Sequence, residues 1–236
     1  MCIIAYVPKG EDITRGTLQN CYWGNKDGAG FMYAKDGKIT IRKGYFSFNS
    51  FYKDFKRARK IDVDIVTHFR IATHGSITKG NCHPYLVDKS LAFAHNGIIP
   101  IDVPEKEDVS DTAIFNRNVL RNLPRGFLMN KGIMELIREY ISYSKLCFLD
   151  NTGNVTIVNE NDGVWDEGCW FSNTSYMGYM ERQIRPKIKN DYWDAIAADY
   201  KSIHNQALWC KKCGLELILD EDFNQMVCVG CRHESK

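Results

Sequence analysis

Cys2 is the first residue of this chain with obvious chemistry. Excision of Met1 would leave a thiol and a free α-amine on one residue. An α-amine with an ordinary pKa of about 7.7–8.0 is a usable general base for a thiol near 8.5. That pairing is the cysteine form of an N-terminal nucleophile. Cys2 is equally suited to open a buried strand as a small apolar residue, and taken alone it leaves both readings open. Four polar segments follow: Thr67-His68-Phe69-Arg70-Ile71-Ala72-Thr73-His74-Gly75, Asn81-Cys82-His83-Pro84, His95-Asn96-Gly97 and Ser110-Asp111-Thr112. Asn-Gly by itself is a turn signal, and Ser-Asp-Thr by itself is a helix N-cap signal.

The elements that must position these residues read as short strands and amphipathic helices. Strand-like runs fall at 2–7, 30–34, 38–42, 64–68, 91–95, 146–149, 154–158 and 169–172. They are rich in β-branched or aromatic residues and punctuated by turns such as Asp36-Gly37. Helical spacing appears at 50–60 (Phe51, Phe55), 111–123 (Ile114, Phe115, Val119, Leu123), 132–141 (Ile133, Leu136, Ile137, Ile141) and 190–206 (Trp193, Ile196, Ala197, Tyr200). Strands in adjacent pairs, interrupted by blocks of helix, predict a layered α+β sandwich.

The chain has 236 residues, 44% of them apolar and 25% charged, the balance of a soluble globular protein. Its formal net charge of +2 argues against a large basic nucleic-acid surface. The apolar runs fall far short of the roughly 20 residues of a membrane span. Nine cysteines, an odd number, with no secretion signal at the N-terminus, predict reduced thiols in a cytoplasmic protein.

Taken together, Cys2, R-x-A-T-H-G from Arg70, N-x-H-P from Asn81, H-N-G from His95 and S-D-T from Ser110 resemble the class II glutamine amidotransferases. The glutaminase domain of that family is an N-terminal nucleophile hydrolase. Asn25-Lys26-Asp27-Gly28-Ala29-Gly30 stands where the family has its glycine-rich loop, and the resemblance covers roughly residues 2–178. It implies a four-layer αββα sandwich. It also implies hydrolysis of glutamine to glutamate and ammonia, with Cys2 as nucleophile and no cofactor for that chemistry.

A glutamine pocket needs a cation, an anion and an oxyanion site. In the family's arrangement Arg70, with its planar fork, takes the substrate carboxylate, and Asp111 takes the α-ammonium while Ser110 caps the helix. Thr73, His74 and Gly75 line the pocket. The Asn96 side chain and the Gly97 N–H form the oxyanion hole. His74, His83 and His95 have no metal-ligand spacing, and the resemblance makes them pocket-wall residues. Two features depart from the family: Ile71 stands where a tryptophan is common, and Gly24-Asn25 replaces an Arg-Gly opening.

A glutamine amidotransferase-like domain is thus expected at 1–184, a linker and helix at 185–208, and a separate tail at 209–236. In the tail, Cys210/Cys213 and Cys228/Cys231 form two CxxC pairs 14 residues apart, with a short hairpin between them. This is a zinc-ribbon pattern whose four thiolates would close a structural, non-catalytic Zn2+ site. Four basic and five acidic residues give residues 210–236 a net charge of −1, so nucleic-acid contact is weakly supported. The roughly 50 residues after 184 are too few for a synthase domain, which implies an ammonia-accepting synthase on another chain. Two alternatives remain beside this reading: an N-terminal nucleophile amidase for another amide, and a catalytically idle zinc-ribbon interaction protein.

Overall fold

The computed structural model describes residues 2–72, 75–104 and 106–178, and the main chain of 217–220 and 225–228. The chain divides into two compact units, Met1–Ile184 and Arg185–Lys236.

The first unit is built on two antiparallel sheets. One has the order β3-β2-β4-β1-β10-β9, from β1 (Ile3–Val7), β2 (Ala29–Lys35), β3 (Lys38–Tyr45), β4 (Ile65–Phe69), β9 (Val164–Asp166) and β10 (Cys169–Phe171). The other runs β5-β6-β7-β8, from β5 (Tyr85–Asp88), β6 (Leu91–Asn96), β7 (Lys145–Asp150) and β8 (Val155–Val158). Side chains alternate across each strand, so a strand covered on both faces is apolar throughout. Ile4, Met32, Val66 and Trp170 of the first sheet pack against Ala92, Ala94, Cys147 and Leu149 of the second. On the outer face of the first sheet, Ile3, Ala5, Phe31 and Phe69 meet α1 (Arg15–Gly24) and α2 (Phe48–Arg59) through Leu18, Phe51 and Phe55. The second sheet turns Phe93, Leu146 and Phe148 toward α3 (Asp111–Asn118) and α4 (Lys131–Ile141). The layers are therefore helix, sheet, sheet, helix.

Three elements are absent from the sequence expectation: α1, β5 and β9. Only Leu18, Cys21 and Tyr22 are buried on α1, too short an apolar stripe to stand out among polar neighbours. The single helix expected at 111–123 is shorter. It ends at Asn118, and a 3-10 turn covers Leu120–Asn122. Pro124 holds Leu123 in an extended conformation, which stops the chain there.

In the second unit β11 (Leu217–Asp220) and β12 (Gln225–Cys228) form an antiparallel hairpin with Leu217 opposite Cys228. The helix expected at 190–206, the linker, and Cys210, Cys213 and Cys231 lie outside the described residues. Cys228 is described by its main chain alone. Among the described residues no helix is long and apolar enough to cross a membrane.

Candidate active site

Strand register brings the chemistry-bearing residues to one end of the first sheet. β1 and β4 are antiparallel with Ile3 opposite Phe69. Cys2, just before β1, therefore meets Arg70 and Ile71, just after β4. The Cys2 thiol lies 3.4 Å from both the main-chain N and the main-chain O of Ile71. On the other side of β1, Ala5 pairs with Phe171, so Asn173 comes level with Ile3. The second sheet contributes the end of β6, where the Asn96 side-chain amide donates to the Cys2 carbonyl at 2.6 Å. Cys2 is thus fixed by both sheets, although Asn96 lies 94 residues away.

Burial pushes the Cys2 thiol above its ordinary range. The Ile71 N–H and the nearby Arg70 guanidinium pull it back in part, and Asp111 pushes it up further. A thiol held protonated in this way needs a base before it can attack.

Arg70 is almost fully buried, and its fork donates to the carbonyls of Gly75 and Ser76, both at 3.0 Å. The guanidinium thereby ties down Gly75 and Ser76; Thr73 and His74, two expected site residues, lie outside the described residues. Gly75 has φ +71°, and a Cβ there would stand 2.7 Å from the Asn81 amide nitrogen. Asn81 ties this loop to the head of α3 by donating to Ser76 O and Asp108 O and accepting from Ser110 N. Asp27 contributes from the N-K-D-G-A-G loop, accepting from the Ala72 N–H at 2.9 Å.

Asp111 accepts from the Thr112 N–H and the Ile99 N–H, both at 2.8 Å. Its carboxylate thus anchors the segment that follows Gly97. Ser110 caps α3 through the Ala113 N–H, as the sequence suggested. Gly97 has φ +137°, in the region that glycine alone adopts readily, and its missing Cβ leaves room for Ser144.

Two of the three histidines expected on the pocket wall, His83 and His95, lie within the described residues. Both are buried, and with His68 their rings form a row. Ring centroids are 4.0 Å apart for His68 and His83 and 6.2 Å apart for His83 and His95. His83 Nδ1 accepts from the His95 N–H, and His95 Nδ1 lies 2.7 Å from the Thr112 hydroxyl. His74 lies outside the described residues. Among the described residues no group of three or more His, Cys, Asp or Glu side chains is arranged to hold a metal.

Burial drives His68 down to about 3 and His95 down to about 4, and holds His83 well below its usual value. Lys43 and Arg70 push His68 and His83 further in the same direction, while Asp111 partly opposes the shift of His95. The folded state therefore keeps these rings neutral, whereas the unfolded chain protonates them below about pH 6.5. Stability is complete above that value. Below it, each histidine should remove about 1.4 kcal/mol per pH unit until the folded state itself titrates. Urea midpoints measured from pH 7.5 to 5 should fall accordingly, and His68→Gln should flatten the slope by roughly a third. An unchanged slope in that variant would remove His68 from the account.

Asn173 carries much of this geometry and was not found from the sequence, whereas Asn81 was picked out there as part of N-x-H-P, without a role. Asn173 sits in Ser172-Asn173-Thr174, whose local appearance says only that the chain bends.

No protein-family model matches the chain. Over 125 residues it is 32% identical to the isomerizing glutamine–fructose-6-phosphate aminotransferase of Aquifex aeolicus, a stretch covering 48% of this chain and 20% of that protein. The protein of the same name from Corynebacterium diphtheriae is 31% identical over 90 residues, 37% of this chain and 14% of its own length. Among solved structures, glutamine phosphoribosylpyrophosphate amidotransferase from B. subtilis, complexed with ADP and GMP, aligns with a TM-score of 0.43 at 20% identity. That alignment covers 72% of this chain and 41% of the other. The matched stretch spans a fifth or less of the aminotransferases' length, and over that stretch the sequence likeness is to glutamine amidotransferases.

Proposed function

We propose that this chain is a cytoplasmic glutaminase subunit, hydrolysing glutamine to glutamate and ammonia and passing the ammonia to a separate synthase. The observation that carries the reading is the meeting of Cys2, Arg70-Ile71 and Asn96 at one end of two sheets. Removal of Met1 frees the Cys2 α-amine, which takes the thiol proton, directly or through a water. The sulfur then attacks the side-chain amide carbon. Asn96 Nδ2 carries two protons; one is held by the Cys2 carbonyl, and the other faces the developing oxyanion together with the Gly97 N–H. The proton held by the α-amine goes to the leaving nitrogen, ammonia departs, and water hydrolyses the γ-glutamyl thioester to release glutamate. Arg70 and Asp111 bind the two charged ends of the substrate, with Thr73, His74 and Gly75 on the pocket wall.

In the tail, the donor set of Cys210, Cys213, Cys228 and Cys231 suits a Zn2+ closed by four thiolates. Such a metal has no open position and would serve the fold of the second unit.

Ammonia release from glutamine by the purified chain tests the reading. Arg70→Lys keeps the charge but loses the fork, and Asp111→Asn removes the anion. Each is expected to raise KM for glutamine about 10- to 100-fold with a smaller effect on kcat, the loss of one charge-assisted contact. An unchanged KM in both variants would redirect the reading to an amidase for an amide without an α-amino acid end.

A further inference from the structure

We propose that Asn173 is a positioning residue that, with the Cys2 carbonyl, locks the direction in which the Asn96 amide faces, and so aims the oxyanion donor; this rests on the glutaminase reading above. Asn173 follows β10, is 8% exposed and lies 171 residues from Cys2 in sequence. Its side chain makes three bonds. Oδ1 accepts from the Ser175 main-chain N–H at 3.0 Å. Nδ2 donates to the Cys2 carbonyl at 2.8 Å and to Asn96 Oδ1 at 3.3 Å.

The polarity of this chain of bonds is forced at both ends, by the Ser175 N–H, which can only donate, and by the Cys2 carbonyl, which can only accept. A main-chain N–H can only donate, so the atom of Asn173 facing Ser175 has to be the oxygen. The nitrogen then points at Cys2 and Asn96. Facing that nitrogen, Asn96 must present its own oxygen, which leaves Asn96 Nδ2 on the side of the Cys2 carbonyl and the site. A flipped Asn96 would set nitrogen against nitrogen at Asn173 and oxygen against oxygen at Cys2. Either clash is the loss of a buried hydrogen bond and its replacement by repulsion. The Ser175 amide, through Asn173, thus reinforces the orientation that the Cys2 carbonyl imposes directly on Asn96.

Asn173 also has a local role. It caps the 3-10 turn Thr174–Tyr176 through the same Ser175 N–H. The two roles use different atoms, because the cap needs only the oxygen, and aspartate is as good a cap as asparagine. Asn173→Asp therefore keeps the cap and removes only the donor. The introduced carboxylate faces the Cys2 carbonyl and Asn96 Oδ1, and the repulsion pushes the Asn96 amide out of the place the wild-type bonds give it.

The test compares wild type, Asn173→Asp and Asn173→Ala as full chains. In Asn173→Asp, kcat for glutamine should fall about 100-fold, as when one oxyanion donor is lost, with KM held within about threefold. Asn173→Ala removes the constraint without adding repulsion, and its kcat should fall about tenfold. A second readout needs no turnover: the Asn96 side-chain amide resonances in 1H–15N spectra, identified by their loss in Asn96→Ala, should move in Asn173→Asp while its melting temperature stays close to that of wild type. Unmoved Asn96 resonances, or a lowered melting temperature with kcat intact, would reduce Asn173 to a turn cap and overturn the proposal. Moved resonances in a chain whose wild type releases no ammonia would leave the positioning intact and remove the glutaminase reading instead.

Discussion

Cys2→Ala should abolish ammonia release from glutamine, on the order of 10⁴-fold or more, the scale on which nucleophile deletions fall in acyl-transfer enzymes. The fold should survive, because the sulfur is half-buried and its hydrogen-bond partner is the Ile71 main chain alone. The Cys2 main chain, which takes the bonds from Asn96 and Asn173, is unchanged by the substitution. Loss of turnover with an unshifted melting temperature is therefore the expected pair of results. The same argument extends to the amine. Burial raises the thiol, so the resting state is S–H, and attack requires a neighbouring base. In the proposed mechanism that base exists only after Met1 is removed. A chain with one residue inserted between Met1 and Cys2 should be as inactive as Cys2→Ala, with intact mass confirming the blocked N-terminus. Turnover by a preparation whose Cys2 nitrogen is acylated would remove the α-amine from the mechanism.

The sequence discloses this site unevenly, and the reason is the direction in which information runs. Cys2, Arg70, Asn96, Gly97 and Asp111 each stand in a run whose residue types differ from the apolar strand or helix beside them, so each is visible locally. β1, β4 and β6 are visible for the same reason, since five or six consecutive buried residues cannot be anything but a covered strand or a short buried helix. Asn173 is different. Ser172-Asn173-Thr174 reads as a turn, and its partners Cys2 and Asn96 lie 171 and 77 residues away. Its contribution comes from antiparallel register between β1 and β10, a long-range property with no local trace. The histidines illustrate the converse. His83 and His95 attract attention as polar residues near a site, yet both are buried and held neutral in a row of rings with His68. A side chain's type says which chemistry it is capable of; which layer it enters is decided by strand pairing.

Gly97→Ala should also remove most of the activity, less than Cys2→Ala does and by a steric route. A Cβ at this position would stand 2.2 Å from Ser144 Oγ, 2.7 Å from Ser144 Cβ and 2.8 Å from Ser144 Cα. Ser144 has no room to retreat: its hydroxyl donates to the Ile98 carbonyl, its main-chain N–H to Ile141 O, and its own carbonyl accepts from Asn159. Residue 97 must therefore move or the turn before β7 must shift. Overpacking of this kind costs about 1–3 kcal/mol, and a side chain at φ +137° adds about 1–3 kcal/mol of backbone strain. Together these should lower the melting temperature by roughly 5–15 °C for a unit of this size. Displacing residue 97 also carries away the second oxyanion donor and strains the Ile99 N–H bond to Asp111, so kcat should fall at least about 100-fold. The companion variant Gly97→Ala with Ser144→Gly separates the two effects. Removing Ser144 Cβ and Oγ relieves two of the three close contacts, so part of the thermal loss should return. The backbone strain and the remaining contact with Cα keep residue 97 displaced, so turnover should stay low. Gly97→Ala turning over within tenfold of wild type would show that the oxyanion is held elsewhere.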